Sequence, residues 1–225
     1  MAVSQFPPWR EVVQAAARKA ALAEDQKRWG DTRTPFDYRW EHVQAVVRLA
    51  LRLVGCTGAD GEVCEAAAWL HDVTKTYSRE HQTDHGLDGA AQAREILAQS
   101  DFPPAKIEAV ADAIAKHVGL ETSAPIEPLE AAVLWDADKL SKLGATCVLH
   151  GIGYKLAKGE KTTPALIDGL CDASWGEGIV RSLNTVPAQA VGQARLAAYR
   201  TFCQTLQREY EGSDLVAKPQ RDPVR

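Results

Sequence analysis

The sequence predicts an all-α fold in a single domain, and three observations predict it. Apolar residues recur at helical spacing in segment after segment. No stretch shows the alternating apolar–polar pattern of a half-buried strand. Glycines, prolines and short polar runs punctuate the chain at intervals suited to helices. A chain of 225 residues is long enough to bury one sizeable core, and no internal repeat or second domain is legible.

Taken in order, Pro8 to Lys27 is Ala-rich and opens with prolines, a favourable helix start. From Phe36 to Val54 the set Val43, Val46, Val47, Ala50, Leu53 and Val54 keeps helical spacing, and Gly55, Gly58 and Gly61 then break the chain. Val63 to Leu70 is a short apolar helix, residues 76–84 a polar connection, and His85 to Gln99 the next helix. After Asp101-Phe102-Pro103-Pro104, Ile107, Val110, Ala111, Ile114 and Val118 form one stripe. A Pro-containing linker, Ala124 to Pro128, leads into a helix from Leu129 to Leu143. Helices over Thr146–Lys158 and Pro164–Asp172 follow, then Pro187–Tyr210 with Leu196, Tyr199, Phe202, Cys203 and Leu206 facing inward. Residues 1–211 read as one domain; the charged, Pro-containing tail 212–225 reads as disordered.

A net charge of −4 and a pI near 5.9 exclude broad electrostatic capture of a nucleic-acid polymer or an anionic membrane, while local charge can still serve a small anionic substrate. Met1–Trp9 does not read as a secretory signal, and no run approaches the roughly 20 apolar residues that span a bilayer. The five cysteines are odd in number and show no Cys-x-x-Cys pair, so they read as small buried hydrophobes in a reducing cytoplasm.

Three segments carry metal-capable side chains: the lone His42, the doublet His71-Asp72 after an apolar run, and Asp136-Ala137-Asp138-Lys139-Leu140. Imidazole and carboxylate ligands leave a divalent ion Lewis-acidic, unlike a closed thiolate cage. His42 shares the face of Val46, Ala50 and Leu53. An aspartate buried behind Ala66–Leu70 needs a cation, which is either a metal or Lys75. His117 belongs to the stripe of Val110 and Ile114, and His85 opens a helix; with them the chain could hold two ions. His81 reads as solvated and His150 as structural.

In this order, His42, His71-Asp72 and Asp138 resemble the H…HD…D pattern of the HD-domain superfamily of metal-dependent phosphohydrolases, over about Tyr38 to Leu143. The resemblance implies an HD-like helical core (about 36–145) followed by C-terminal helices over 146–211, of which Asn184-Thr185 to Glu211 looks like the terminal helix of one bacterial branch. His71-Asp72-Val73-Thr74-Lys75 is similar to the HD-x-x-K form of dinuclear members, in which His85 and His117 would hold a second metal. The Gly-Tyr-Pro signature of the cyclic-di-GMP branch is absent. Periodicity favours Asp136 as the inward residue, whereas the family form Ala-Asp-(Lys/Arg)-Leu matches Ala137–Leu140; Asp138 is therefore expected as ligand, with Asp136 orienting a histidine.

The function this implies is hydrolysis of a phosphate ester or anhydride, in a nucleotide or other small phosphorylated molecule, by metal-activated water. One or two of Mn, Fe, Co, Ni, Zn or Mg would serve; Asp72 would position the water, and Lys75 and, more weakly, Arg39 would contact phosphate. Two alternatives stand beside it: a dinuclear-iron oxygenase, and a metal-binding scaffold without turnover.

Overall fold

The computed structural model describes residues 6–30, 36–75, 85–171 and 174–215. Among them are ten α-helices and no strand: α1 (Trp9–Trp29), α2 (Tyr38–Thr57), α3 (Gly61–Leu70), α4 (His85–Ala98), α5 (Ile107–Lys116), α6 (Leu129–Ser141), α7 (Ala145–Ala157), α8 (Thr163–Cys171), α9 (Gly176–Arg181) and α10 (Val186–Glu211). Local chemistry sets several ends. The Asp37 and Asp60 carboxylates accept backbone N–H groups at the starts of α2 and α3, and the Thr185 hydroxyl does so for α10. Gly58 (φ 77°) and Gly212 (φ 68°) close α2 and α10 in the left-handed conformation.

α2 packs against α3 and α6, and α4 packs against α5. One core joins residues of α1 to α6 with Ile179 and Val180 of α9 and Ala188 and Leu196 of α10; a small second cluster sets Val148 of α7 against Tyr199 and Cys203 of α10. α6 lies at the centre, with every residue from Ala131 to Ser141 buried, charged ones included. This is why the periodicity that favoured Asp136 as the inward residue does not separate it from Asp138: a helix covered on all sides has no single inward stripe.

Four expectations change. α2 runs through Gly55 to Thr57, because a glycine inside a well-packed helix costs only about 1 kcal/mol. Helix α9 forms between Asp172 and Pro187, a stretch to which the sequence assigned no helix. Val118 leaves the α5 stripe, 38% exposed, because the helix ends at Lys116, and Phe202 is 42% exposed on α10. Cys56 is exposed; of the other cysteines, Cys64 and Cys203 are buried as expected and Cys147 and Cys171 are half-buried. The connection 76–84, with His81, and most of the tail (216–225) lie outside the described residues.

Candidate metal centre

Four helix ends and one helix face build the site. His42 lies one turn into α2, on the same buried side as Arg39. α3 ends at Leu70, and His71 to Lys75 turn tightly, Val73 N–H bonding to Leu70 C=O and Lys75 N–H to Asp72 C=O. His117 is the residue after α5, with its N–H on Ile114 C=O. His85 starts α4, which passes close to this turn: a Cβ on Gly89 would stand 3.5 Å from His71 O and 3.1 Å from Ile114 Cγ2. α6 contributes Asp138.

These residues converge. His42 Nε2 and His71 Nε2 are 3.3 Å apart, and His42 Nε2 is 3.3 Å from Asp138 Oδ1 and 3.6 Å from Asp72 Oδ2. On the other side, Asp72 Oδ1 lies 3.5 Å from His117 Nε2 and 3.9 Å from His85 Nε2. Two triads therefore share Asp72: His42, His71 and Asp72, and Asp72, His85 and His117, each with ligand atoms within 4.8 Å of one another. Donors bound at ~2.1 Å to one tetrahedral ion stand about 3.4 Å apart, so these separations suit a shared cation.

The hydrogen bonds around the rings fix what the Nε2 atoms can do. His71 Nδ1 meets Ala68 C=O at 2.8 Å and His117 Nδ1 meets Ile114 C=O at 2.6 Å, so each Nδ1 carries the proton and donates it. The Ser141 hydroxyl donates to Asp138 C=O and so accepts from His42 Nδ1–H at 3.2 Å. All three Nε2 atoms are left as lone pairs, directed at one another or at a carboxylate. Asp72 Oδ1 and His117 Nε2 are buried with no hydrogen bond. Acceptors gathered against acceptors in a buried site fit a divalent cation.

Burial keeps the His42 and His71 imidazoles neutral, pushing His42 down to about 4 and His71 to about 3. Burial opposes charge on Asp72 as well, but Arg39, His71 and Lys75 hold it well below the usual carboxylate range; Lys139 and Lys142 do the same for Asp138. Asp72 thus stays a carboxylate at neutral pH, bonded to Arg39 Nη1.

Contacts in the structure bear on the roles expected of four residues. Asp136 orients no histidine: its oxygens accept Asn184 N–H and Thr185 N–H, each at 2.8 Å, and the Thr185 hydroxyl at 2.7 Å, pinning the start of α10. Arg39 is not presented to a ligand; 5% exposed, it bridges Glu24 of α1 to Asp72, as its long fork allows. Lys75 does not follow His71 along a helix. It sits past the turn with Nζ 3.3 Å from Asp72 Oδ1, the ion-pair alternative. His150, read as structural, packs near Phe36 and Tyr38 and also lines a cavity.

Sequence reasoning passed over Ser141, Lys139, Lys142 and Glu24. Buried Lys139 donates to His117 C=O at 3.0 Å and pairs with Asp138 while its ammonium lies 4.1 Å from the Trp135 ring centroid, tying α6 to the end of α5. Lys142 pairs with Asp138 Oδ1 and is pushed down to about 8 by burial. Ser141 and Lys142 stand at i+3 and i+4 from Asp138, a spacing that placed them beside that carboxylate, though nothing in it distinguished them from ordinary helix-end residues.

Residues 39–143 match the HD domain family. No curated protein matches the chain. Among solved structures, the fold is similar to a predicted HD superfamily hydrolase from an uncultured Thermotogales bacterium (20% identity, 92% of this chain and 95% of that one, TM-score 0.61). It is similar to Bacillus subtilis YpgQ in complex with ADP (18%, 92% and 99%, 0.60) and to a Lactobacillus plantarum protein (21%, 94% and 100%, 0.60). No described helix is long and apolar enough to cross a membrane.

Proposed function

We propose that this chain, whose residues 39–143 match the HD domain family, is a metal-dependent phosphohydrolase acting on a small phosphorylated molecule. The observation that carries the reading is the convergence of three Nε2 lone pairs with Asp72 and Asp138, none of which has a proton to satisfy the others. His42, His71, Asp72 and Asp138 would hold one ion. Asp72, His85 and His117 would hold a second, making Asp72 the shared ligand. A bound divalent ion lowers the pKa of coordinated water toward neutrality and offsets charge on a phosphate oxygen.

The chain's own groups set the rest. Arg39, locked by Glu24, keeps Asp72 ionised and fixed, so this carboxylate can orient a water and accept its proton-side hydrogen bond. Lys75, whose side chain is 36% exposed, is the cation nearest the open side of Asp72 and would meet a phosphate oxygen as a point charge. Ala68 C=O, Ile114 C=O and Ser141 Oγ hold the three rings in one tautomer. The ADP complex of YpgQ favours a nucleotide among small phosphorylated substrates. Five free thiols suit a reducing cytoplasm.

The test strips the protein with EDTA, reloads it with Mn²⁺, Co²⁺, Ni²⁺, Fe²⁺ or Mg²⁺, and measures phosphate release from nucleotides and sugar phosphates. Release that falls to background in Asp72→Asn supports the reading. A folded, metal-loaded protein that releases no phosphate from any of them, or that consumes oxygen only when iron-loaded, overturns it.

A further inference from the structure

Beside the metal-capable cluster lies a cavity of about 250 Å³ whose lining combines two kinds of surface. One end is the edge of the cluster itself: His42, Ser141 and Lys142. The other is aromatic. Tyr38 stacks on His42 with ring planes 3° apart, Tyr154 stands 5.2 Å from Tyr38, and His150 meets Tyr38 edge-on at 6.2 Å. The sequence builds this wall economically: Cys147, His150, Gly151 and Tyr154 fall at helical spacing on one face of α7, and Tyr38 and His42 sit at i and i+4 on α2.

Resting on the phosphohydrolase reading, we propose that this cavity is the substrate's ring-binding subsite, with Lys142 holding phosphate at its inner end, and that the chain therefore prefers mononucleotides to sugar phosphates. Three observations carry this. The volume falls just under the ~300–1,000 Å³ typical of drug-sized ligand sites, room for one ring system and not for two linked nucleosides. The wall is built largely of aromatic rings, Tyr38, His150 and Tyr154, the kind of surface on which any nucleobase stacks, with the Arg28 guanidinium 5.3 Å and the Lys158 ammonium 4.9 Å from the Tyr154 ring centroid. Lys142 lines the cavity while its ammonium rests on Asp138 Oδ1, so one side chain reaches from the ligand carboxylate to the cavity. A cation taken up by Asp138 would compete with that ammonium for the same oxygen, leaving Lys142 to meet the substrate's phosphate.

AMP and ribose 5-phosphate differ only by the base, and they separate the two claims. In Mn²⁺-loaded protein the KM for AMP is expected to lie about tenfold or more below that for ribose 5-phosphate, the range of one base–aromatic contact. Tyr154→Leu is expected to collapse that preference while Tyr154→Phe, which keeps the ring and reports on folding, retains it; Lys142→Gln is expected to weaken both substrates alike. Ligand-observed NMR on EDTA-treated protein gives a readout free of turnover: AMP base protons should show saturation transfer that Tyr154→Leu abolishes. Base contact without phosphate release would sink the hydrolase reading and keep the ring subsite. Equal KM values for AMP and ribose 5-phosphate, or a preference unmoved by Tyr154→Leu, would overturn the ring subsite while leaving hydrolysis intact.

Discussion

The buried imidazoles should make the metal-free chain lose stability at a pH far milder than its carboxylates would require. Burial holds His42 at about 4 and His71 at about 3, whereas in the unfolded chain each titrates near 6.5. Below about 6.5 the unfolded chain takes up protons that the folded chain refuses, so stability falls as pH falls, through about 4 for His42 and about 3 for His71. At pH 5 the distance below the unfolded value is about 1.5 pH units, and at ~1.4 kcal/mol per unit each ring costs about 2 kcal/mol. Both together cost about 4 kcal/mol, a large share of a typical ~5–15 kcal/mol total. Asp72 and Asp138, held low, contribute stability that is still present at pH 5 and is lost only as pH falls through and below the ordinary carboxylate range, so they do not contribute to the loss between pH 8 and pH 5. Urea denaturation in EDTA, followed by circular dichroism at pH 8, 7, 6 and 5, measures the effect. A denaturation free energy that stays flat between pH 8 and pH 5 would refute the idea that these rings are buried, neutral and poised as lone-pair donors.

Ser141→Ala removes the acceptor of His42 Nδ1–H and frees the ring to change tautomer; metal affinity should fall about 10- to 100-fold with stability lowered by only about 1 kcal/mol, read by competition against a fluorescent chelator and by urea melts. Asp136→Ala should behave in the opposite way. It strands the backbone N–H groups of Asn184 and Thr185 and should cost about 3 kcal/mol of stability while leaving metal stoichiometry unchanged. Lost metal in a folded Asp136→Ala protein would restore the role that the sequence suggested.

The helical class was legible because the apolar spacing of α2 and α5 is a local property, and the candidate cluster was legible because His42, His71-Asp72 and Asp138 keep a recognisable succession. His85 and His117 were within reach for the same reason, and both triads include residues singled out from sequence. What was not legible depends on three-dimensional partners. Arg39 looked like a phosphate contact until Glu24, fifteen residues away on another helix, was seen to hold it. Asp136 and Asp138 are both buried carboxylates two residues apart on one helix, and only the packing of α10 against α6 tells the carboxylate that holds the start of α10 from the one that faces His42. The face of α7 that lines the cavity carries no signal of its own, since Cys147, His150 and Tyr154 at helical spacing also describe an ordinary half-buried helix.

The most direct measurement is the metal content of the purified chain, by elemental analysis joined to an anomalous-difference map. One divalent ion per chain bound by His42, His71, Asp72 and Asp138, or two with His85 and His117 completing the second, is the expected result. A folded chain that takes up no divalent ion, or that keeps its ion when His71 and Asp72 are both replaced by alanine, would contradict it.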